Sequence, residues 1–263
     1  QPVVNHNKAG ARGSFASQQV AKAAADGYTV LITTNTTHAA NEHLFKKLPY
    51  DPVNDYAPVA ALGKGGQIMV VNPAFPAKTV AEFVALAKKE PGKYSFGSGS
   101  SSSRMAGELL QQMAGIQLLH VPYKSNTLAV TDLLGGQIQM MITDTATGLP
   151  QVKAGKLRAL GVSGDKRSPL APDVPTISEA GVKGYEMGYW FAAYAPAKTP
   201  PAVVKRLNEL MVQAARSQEA KTSFYEPTGT EVFTSSPDEL AKFQAGESQK
   251  WGRIVKAAGI EAE

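Results

Sequence analysis

The chain has 263 residues, 43% hydrophobic and 19% charged, enough for one large globular domain or two small ones with sizeable cores. It contains no cysteine, which excludes disulfides, thiolate metal sites and cysteine nucleophiles. The net charge is +5, but the lysines are scattered, which argues against a nucleic-acid surface, and no apolar run approaches bilayer-spanning length.

No leader peptide is visible at Gln1, so the chain reads as cytosolic or already processed. Residues 1–4 (QPVV) read as a strand, followed by a Gly-containing loop over 9–14. Ala16, Val20, Ala21 and Ala24 predict a short helix that stops at Asp26-Gly27. Residues 28–33 (YTVLIT) predict a buried strand rich in β-formers. It ends in Thr33, Thr34, Asn35, Thr36, Thr37 and His38, a dense set of hydrogen-bonding side chains. Ligands of open α/β sheets bind outside the carboxyl ends of strands, so Thr34, Asn35, Thr36 and His38 are site candidates. The competing role is capping of a helix over 39–45. Three prolines mark a loop at 49–58. The extended stretch 59–72, interrupted by Gly63, Gly65 and Gly66, is a candidate crossing between domains. Thr79 and Glu82 form a capping-box signature for a helix that closes at Lys88-Lys89 before Pro91-Gly92.

Residues 94–115 (YSFGSGSSSSRMAGELLQQMAG) run a short strand into a Gly/Ser loop and then into a helix with Met105, Leu109, Leu110 and Met113 at helical spacing. The unpaired first-turn N–H groups and the positive end of the helix dipole make such a junction an anion site. Four serines, Ser100 to Ser103, add hydroxyls. A carboxylate or similar small anion is therefore expected at this loop; the competing role is a capped, flexible loop. Sharper motifs fail. Ser102 stands where a dinucleotide fingerprint needs its third glycine, no Lys-Ser/Thr pair follows, and neither Ser98 nor Ser100 has the spacing of a nucleophile elbow.

Strands over 118–122, 137–143 and 157–162, alternating with helices over 127–134 and up to 152, call for a parallel sheet with crossover helices. Asp144 and Thr145 fall at a strand end, where Asp144 either faces a ligand or caps the next helix. Tyr123 and Trp190 either line a site or belong to the core. Residues 169–175 form a turn-rich link, and the aromatic stretch 185–195 is a candidate second crossing. Thr199 is expected to cap a helix whose buried stripe is Val204, Leu207, Leu210, Met211 and Ala214. Ser236 and Glu239 form another capping box, for a helix through about 258. His6, His38, His43 and His120 lack metal-ligand spacing, so no metal is expected.

Several of these segments carry a family resemblance: 26–41 (DGYTVLITTNTTHAAN), 48–60 (LPYDPVNDYAPVA), 120–124 (HVPYK), 131–138 (TDLLGGQI), 153–162 (KAGKLRALGV), 166–181 (KRSPLAPDVPTISEAG) and 251–260 (WGRIVKAAGI). Together they resemble the Bug, or tripartite tricarboxylate transporter substrate-binding, family of periplasmic solute receptors, in order and over nearly the whole chain. The resemblance implies two doubly wound α/β domains around a ligand cleft, of the type II periplasmic binding protein kind. It implies domain 1 over 1–65 plus 195–263 and domain 2 over 66–194, with crossings near 60–70 and 188–196. It also implies capture of a small carboxylate (a di- or tricarboxylate, an acidic amino acid or an aromatic acid) for delivery to membrane permease subunits. No cofactor, nucleic acid or chemistry is implied, and a periplasmic monomer is expected. Carried over residue by residue, the site comprises Thr34, Asn35, Thr36 and His38, the Gly/Ser loop Ser98, Gly99, Ser100, Ser101 and Ser102, and the pair Asp144 and Thr145; Tyr123 is added from its own position after a strand, not from the family. Two departures stand out: Arg104 where the family usually has histidine, and Thr145 where it commonly has asparagine.

The family opens with a strand, a loop and a helix before the segment equivalent to QPVV. This chain starts after them, so reduced stability or binding is expected of the sequence as it stands. Two other functions compete. An effector-sensing domain of a regulator shares the architecture but would need a basic recognition helix. A serine hydrolase would need a nucleophile elbow and placeable His and Asp partners.

Overall fold

The computed structural model describes residues 4–6, 8 and 13–262. Residues 1–3 of the expected first strand and residues 9–12 of the following loop lie outside the described residues. The chain divides into two compact units: residues 1–64, 190–222 and 232–263, and residues 65–189 with 223–231. The stretch 223–231, read from sequence as part of the first domain, clusters with the second. One cause is visible in its bonds: Tyr189 and Thr230 share a hydroxyl contact of 2.8 Å, and Gly229 packs on Leu170 and Ser168.

In the first unit, α1 (Ser14–Ala21) precedes β1 (Leu31–Thr34). Both are shorter than read from sequence. Tyr28 is exposed, as is Ile32 within the strand, so β1 is not the buried strand its composition suggested. Among the described strands, β1 lies at the end of the order and pairs only with β7 (Gly188–Pro196), antiparallel. A π-helical turn, Thr36–Ala40, leads into α2 (Asn41–Leu44). The turn is built around His38, which is fully buried. Its ring stacks on Tyr194 with centroids 4.0 Å apart and meets Tyr56 edge-on at 4.7 Å. Nδ1 lies 2.9 Å from Thr37 Oγ1, while Nε2 has no hydrogen-bond partner among the described residues.

Burial holds the His38 pKa down to about 3, against about 6.5 in an unfolded chain. Between those values the unfolded state binds a proton that the folded state refuses, so stability falls as pH drops from about 6.5 towards 3. We expect chemical denaturation to give roughly 2 kcal/mol less stability at pH 5 than at pH 7 from this residue. His38→Phe should flatten that slope; an unchanged slope would place the acid sensitivity elsewhere.

The first unit closes with α7 (Pro201–Ala215) and the C-terminal helix Pro237–Ala257. The C-terminal helix carries the expected capping box in full, with Ser236 and Glu239 exchanging side-chain-to-backbone bonds. It buries Leu240, Gln244, Trp251, Ile254 and Val255, and Gln244 receives the Tyr194 hydroxyl at 3.0 Å. The α7 expectations hold less well. Pro200, not Thr199, is the N-cap, and the Thr199 hydroxyl is buried without a partner among the described residues. Leu210 and Ala214 are exposed, while Val204 and Ala215 are buried, because Asn208 anchors the helix by donating to the carbonyls of Val59 and Ser235.

In the second unit a mixed sheet is built from β2 (Tyr56–Val71), β3 (Ser95–Ser98), β4 (Leu119–Pro122), β5 (Met140–Asp144) and β6 (Arg158–Val162). β3 runs parallel to both β4 and β5, as the βα alternation requires. β2, the stretch read as a crossing between domains, joins this sheet in the opposite sense. This single 16-residue strand crosses the unit boundary, and its end lies antiparallel between β5 and β6. Its glycines do not break it: a Cβ on Gly65 would strike the Tyr189 ring at 2.5 Å, so the glycine makes room for a neighbour.

Four helices accompany this sheet: α3 (Val80–Lys89), α4 (Ser101–Ala114), α5 (Asn126–Leu134) and α6 (Thr145–Lys153). Thr79 caps α3 as expected, accepting from Glu82 N, but the Glu82 carboxylate returns to Lys78 N rather than to Thr79. The core holds Ile68, Val70, Leu133, Ile138 and Met141.

Candidate functional site

Three helices begin close together at the carboxyl ends of β3, β4 and β5. α4 is capped by Ser100, whose Oγ accepts from Ser103 N at 3.2 Å. α5 is capped by Ser125, accepting from Leu128 N. α6 is capped by Asp144, whose Oδ1 accepts from Thr147 N at 2.8 Å and Thr147 Oγ1 at 2.7 Å. One side chain ties them. Asn126 Oδ1 accepts from Gly99 N at 2.9 Å, and its Nδ2 donates to Asp144 Oδ2 at 2.9 Å and to Ser100 Oγ at 3.4 Å. Both ends of the amide are therefore engaged, and it ties the three helix starts to one another.

What remains unspent is a set of backbone donors. The first-turn N–H groups of a helix have no partner within it. Those of Ser101 and Ser102 belong to partly exposed residues in the first turn of a 14-residue helix, where the dipole favours an anion. Together with the starts of α5 and α6, this is a concentration of positive ends suited to a carboxylate.

The sequence candidates sort out as follows. Ser101 and Ser102 keep free donors. Ser100 is a cap, and its hydroxyl is shared with Ser102 at 3.2 Å. Ser98 is buried, with Oγ 2.7 Å from His120 Nε2. Ser103 is also buried, and its hydroxyl goes to the Ile142 carbonyl, so that serine serves the core. Gly99 is needed where it stands. An added Cβ would meet the Ser125 carbonyl carbon at 1.9 Å and Asn126 N at 2.1 Å, so what approaches closely is the start of α5.

Asp144 takes the capping role. Thr145 is buried and donates to the Gly66 carbonyl at 3.2 Å. Tyr123 is engaged as well. Its hydroxyl donates to Asp132 Oδ2 at 2.8 Å, its ring packs against the apolar core, and burial with that bond pushes its pKa up to about 12. Trp190 is buried and bonded to Glu247. In the first unit His38 is core, as described above. Asn35 is buried, Thr34 is exposed and receives Thr36 N at 3.3 Å, and Thr36 is half-buried.

The residue that sequence reading missed is Asn126. Ser125-Asn126 directly after a strand carried the same signal as Asp144-Thr145, a capping side chain at a strand's carboxyl end.

A family model described as "Tripartite tricarboxylate transporter family receptor" matches residues 1–260. The chain belongs to this family. BugT of Bordetella pertussis is 33% identical over 264 residues, covering 99% of this chain and 81% of BugT. A solved Rhodopseudomonas palustris protein with adipate superposes with a TM-score of 0.86 at 32% identity, covering 98% of this chain and 86% of that one. MatC from the same organism, with bound malate, gives 0.78 at 30% identity over 94% and 85%. Membership in the receptor family accounts for the fold, two α/β units of the periplasmic binding protein kind, and for a solute-binding role.

Proposed function

We propose that the chain is a periplasmic receptor that holds a small carboxylate at the start of α4 and delivers it to the permease subunits of a tripartite tricarboxylate-type transporter, with no chemistry of its own. The observation that carries this reading is the convergence of three capped helix N-termini on Asn126, with the Ser101 and Ser102 amides left free. The dicarboxylates held by two related proteins support the ligand class. Thr34 and Thr36 are a second group of polar residues for the same role, in the first unit.

A thermal-shift screen against dicarboxylates, tricarboxylates, acidic amino acids and aromatic acids, with nucleotides as controls, tests the reading. Ligand at 100 times its Kd stabilises by about 2.7 kcal/mol, a rise of several degrees for a chain of this size. A rise confined to one carboxylate class is the expected result. A rise with nucleotides alone, or with no acid at all, would overturn it.

A further inference from the structure

Gln67 of β2 stands directly opposite Asp144 of β5 in their antiparallel register and is 2% exposed. Its backbone is spent on Ser163: the N–H donates to Ser163 Oγ at 2.6 Å, and the carbonyl accepts from Ser163 N at 2.8 Å. Its side-chain Oε1 is buried without a hydrogen-bond partner among the described residues. An unpaired buried amide oxygen costs stability, and folded proteins hold few of them. Side chains alternate along a strand. Ile68 and Val70 enter the core with Leu133 of α5 and Leu149 of α6, so Gln67 and Val71 face the other way. α4 covers that other face. Val71 pairs with Met140, and Met140 with Phe96, while a Cβ on Gly107 of α4 would strike the Phe96 ring. The first turn of α4 reaches the end of β5, where Ser103 donates to the Ile142 carbonyl. Ile142 precedes Asp144 by two residues, so the Gln67 amide lies on the α4 face beside the start of that helix. All of these residues belong to the second unit. Asp144 cannot supply the missing bond: its carboxylate accepts and does not donate, and it already receives Thr147 twice and Asn126.

We propose that Gln67 is a specificity residue, its Oε1 accepting a hydrogen bond from a hydroxyl or ammonium group that the ligand carries beside the carboxylate held at α4. An amide oxygen next to a carboxylate is a pair of acceptors, which a donor completes and a further carboxylate does not. The unpaired oxygen is then a recognition group kept at the expense of stability, as strained or unsatisfied groups at binding sites are. The inference rests on the receptor reading above and adds to it the residue that reads the ligand's substituent.

The test is calorimetric titration of succinate, malate and aspartate, one carbon skeleton bearing hydrogen, hydroxyl or ammonium, into the wild type and Gln67→Met, with melting curves of both proteins free of ligand. The wild type should bind malate or aspartate about tenfold more tightly than succinate, the value of one hydrogen bond, and which of the two leads distinguishes hydroxyl from ammonium. Gln67→Met conserves volume and removes the amide. It should weaken the preferred acid about tenfold and succinate less than about threefold. Without ligand it should melt higher than the wild type, by about 2 °C or more, because an unpaired buried oxygen is gone. Affinity and stability thus move in opposite directions. A Gln67→Met chain that melts no higher than the wild type would mean that the amide serves the fold, and equal losses for all the acids would mean that it serves packing. Either result, or a wild type that prefers succinate or another carboxylate without a donor, would overturn the assignment while leaving the receptor reading intact. A wild type that binds no carboxylate at all would overturn both.

Discussion

Gly99→Ala should abolish carboxylate binding and lower stability by about 3 kcal/mol or more, at the upper end of overpacking costs. The added methyl would sit 1.9 Å from the Ser125 carbonyl carbon, 2.1 Å from Asn126 N and 2.3 Å from the Ser125 carbonyl oxygen. All three atoms are backbone, so no rotamer change relieves the clash. Either the β3–α4 junction or the start of α5 must move. Moving either breaks the bond from Gly99 N to Asn126 and with it the alignment of the helix starts. At about 2–4 °C per kcal/mol for a chain of this length, the loss is plain in a melting curve. Gly115→Ala is the comparison: that glycine has nothing within 4 Å but a φ of 62°, so its cost is backbone strain of about 1 kcal/mol, with ligand affinity unchanged. Equal effects of the two substitutions would show that crowding at Gly99 is not what shapes the site.

Asn126→Asp should weaken carboxylate binding by two orders of magnitude or more. The substituted oxygen can still accept from Gly99 N, but the group that donated to Asp144 at 2.9 Å becomes an acceptor facing a carboxylate. Two unit charges 4 Å apart interact by about 4 kcal/mol at an effective dielectric of 20. The added negative charge also cancels the helix-dipole field that attracts the ligand. Titration calorimetry at neutral pH reads the effect. Asn126→Ser, which removes the bridge without adding charge, should cost less affinity than the aspartate. If the serine variant proves as poor as the aspartate, geometry and not charge governs the site.

How much was legible beforehand differs from place to place. The helix over 80–89 was readable because Thr79, Glu82 and the closing lysines are local signals that agree. The C-terminal helix was readable for the same reason, and there the capping box formed in full. The Gly/Ser loop was readable as a helix start, and Asp144 as a cap, because capping chemistry acts within three or four residues. The roles of individual side chains were less legible. Tyr123, Thr145, Ser98, Ser103 and His38 all have hydroxyls or rings able to meet a ligand, and all five are drawn inward by partners elsewhere in the chain. For Thr145 the partner is Gly66, 79 residues away; for Ser103 it is Ile142, 39 residues away. Asn126 went unnoticed because its significance lies in bridging residues 99, 100 and 144, which only the folded sheet brings together.

By itself, then, the sequence determined the element order, the capped helix starts and the expectation of an anion at the Gly/Ser loop, because these follow from local hydrogen-bond chemistry and hydrophobic spacing; the family came from the resemblance of whole segments. Tertiary structure alone decided that β2 inserts antiparallel into an otherwise parallel set, that Gly99 yields space to α5, and which hydroxyls remain free. Those outcomes depend on contacts between segments far apart in the chain. Burial and competition for hydrogen-bond partners settle them, and neither is encoded in any single stretch.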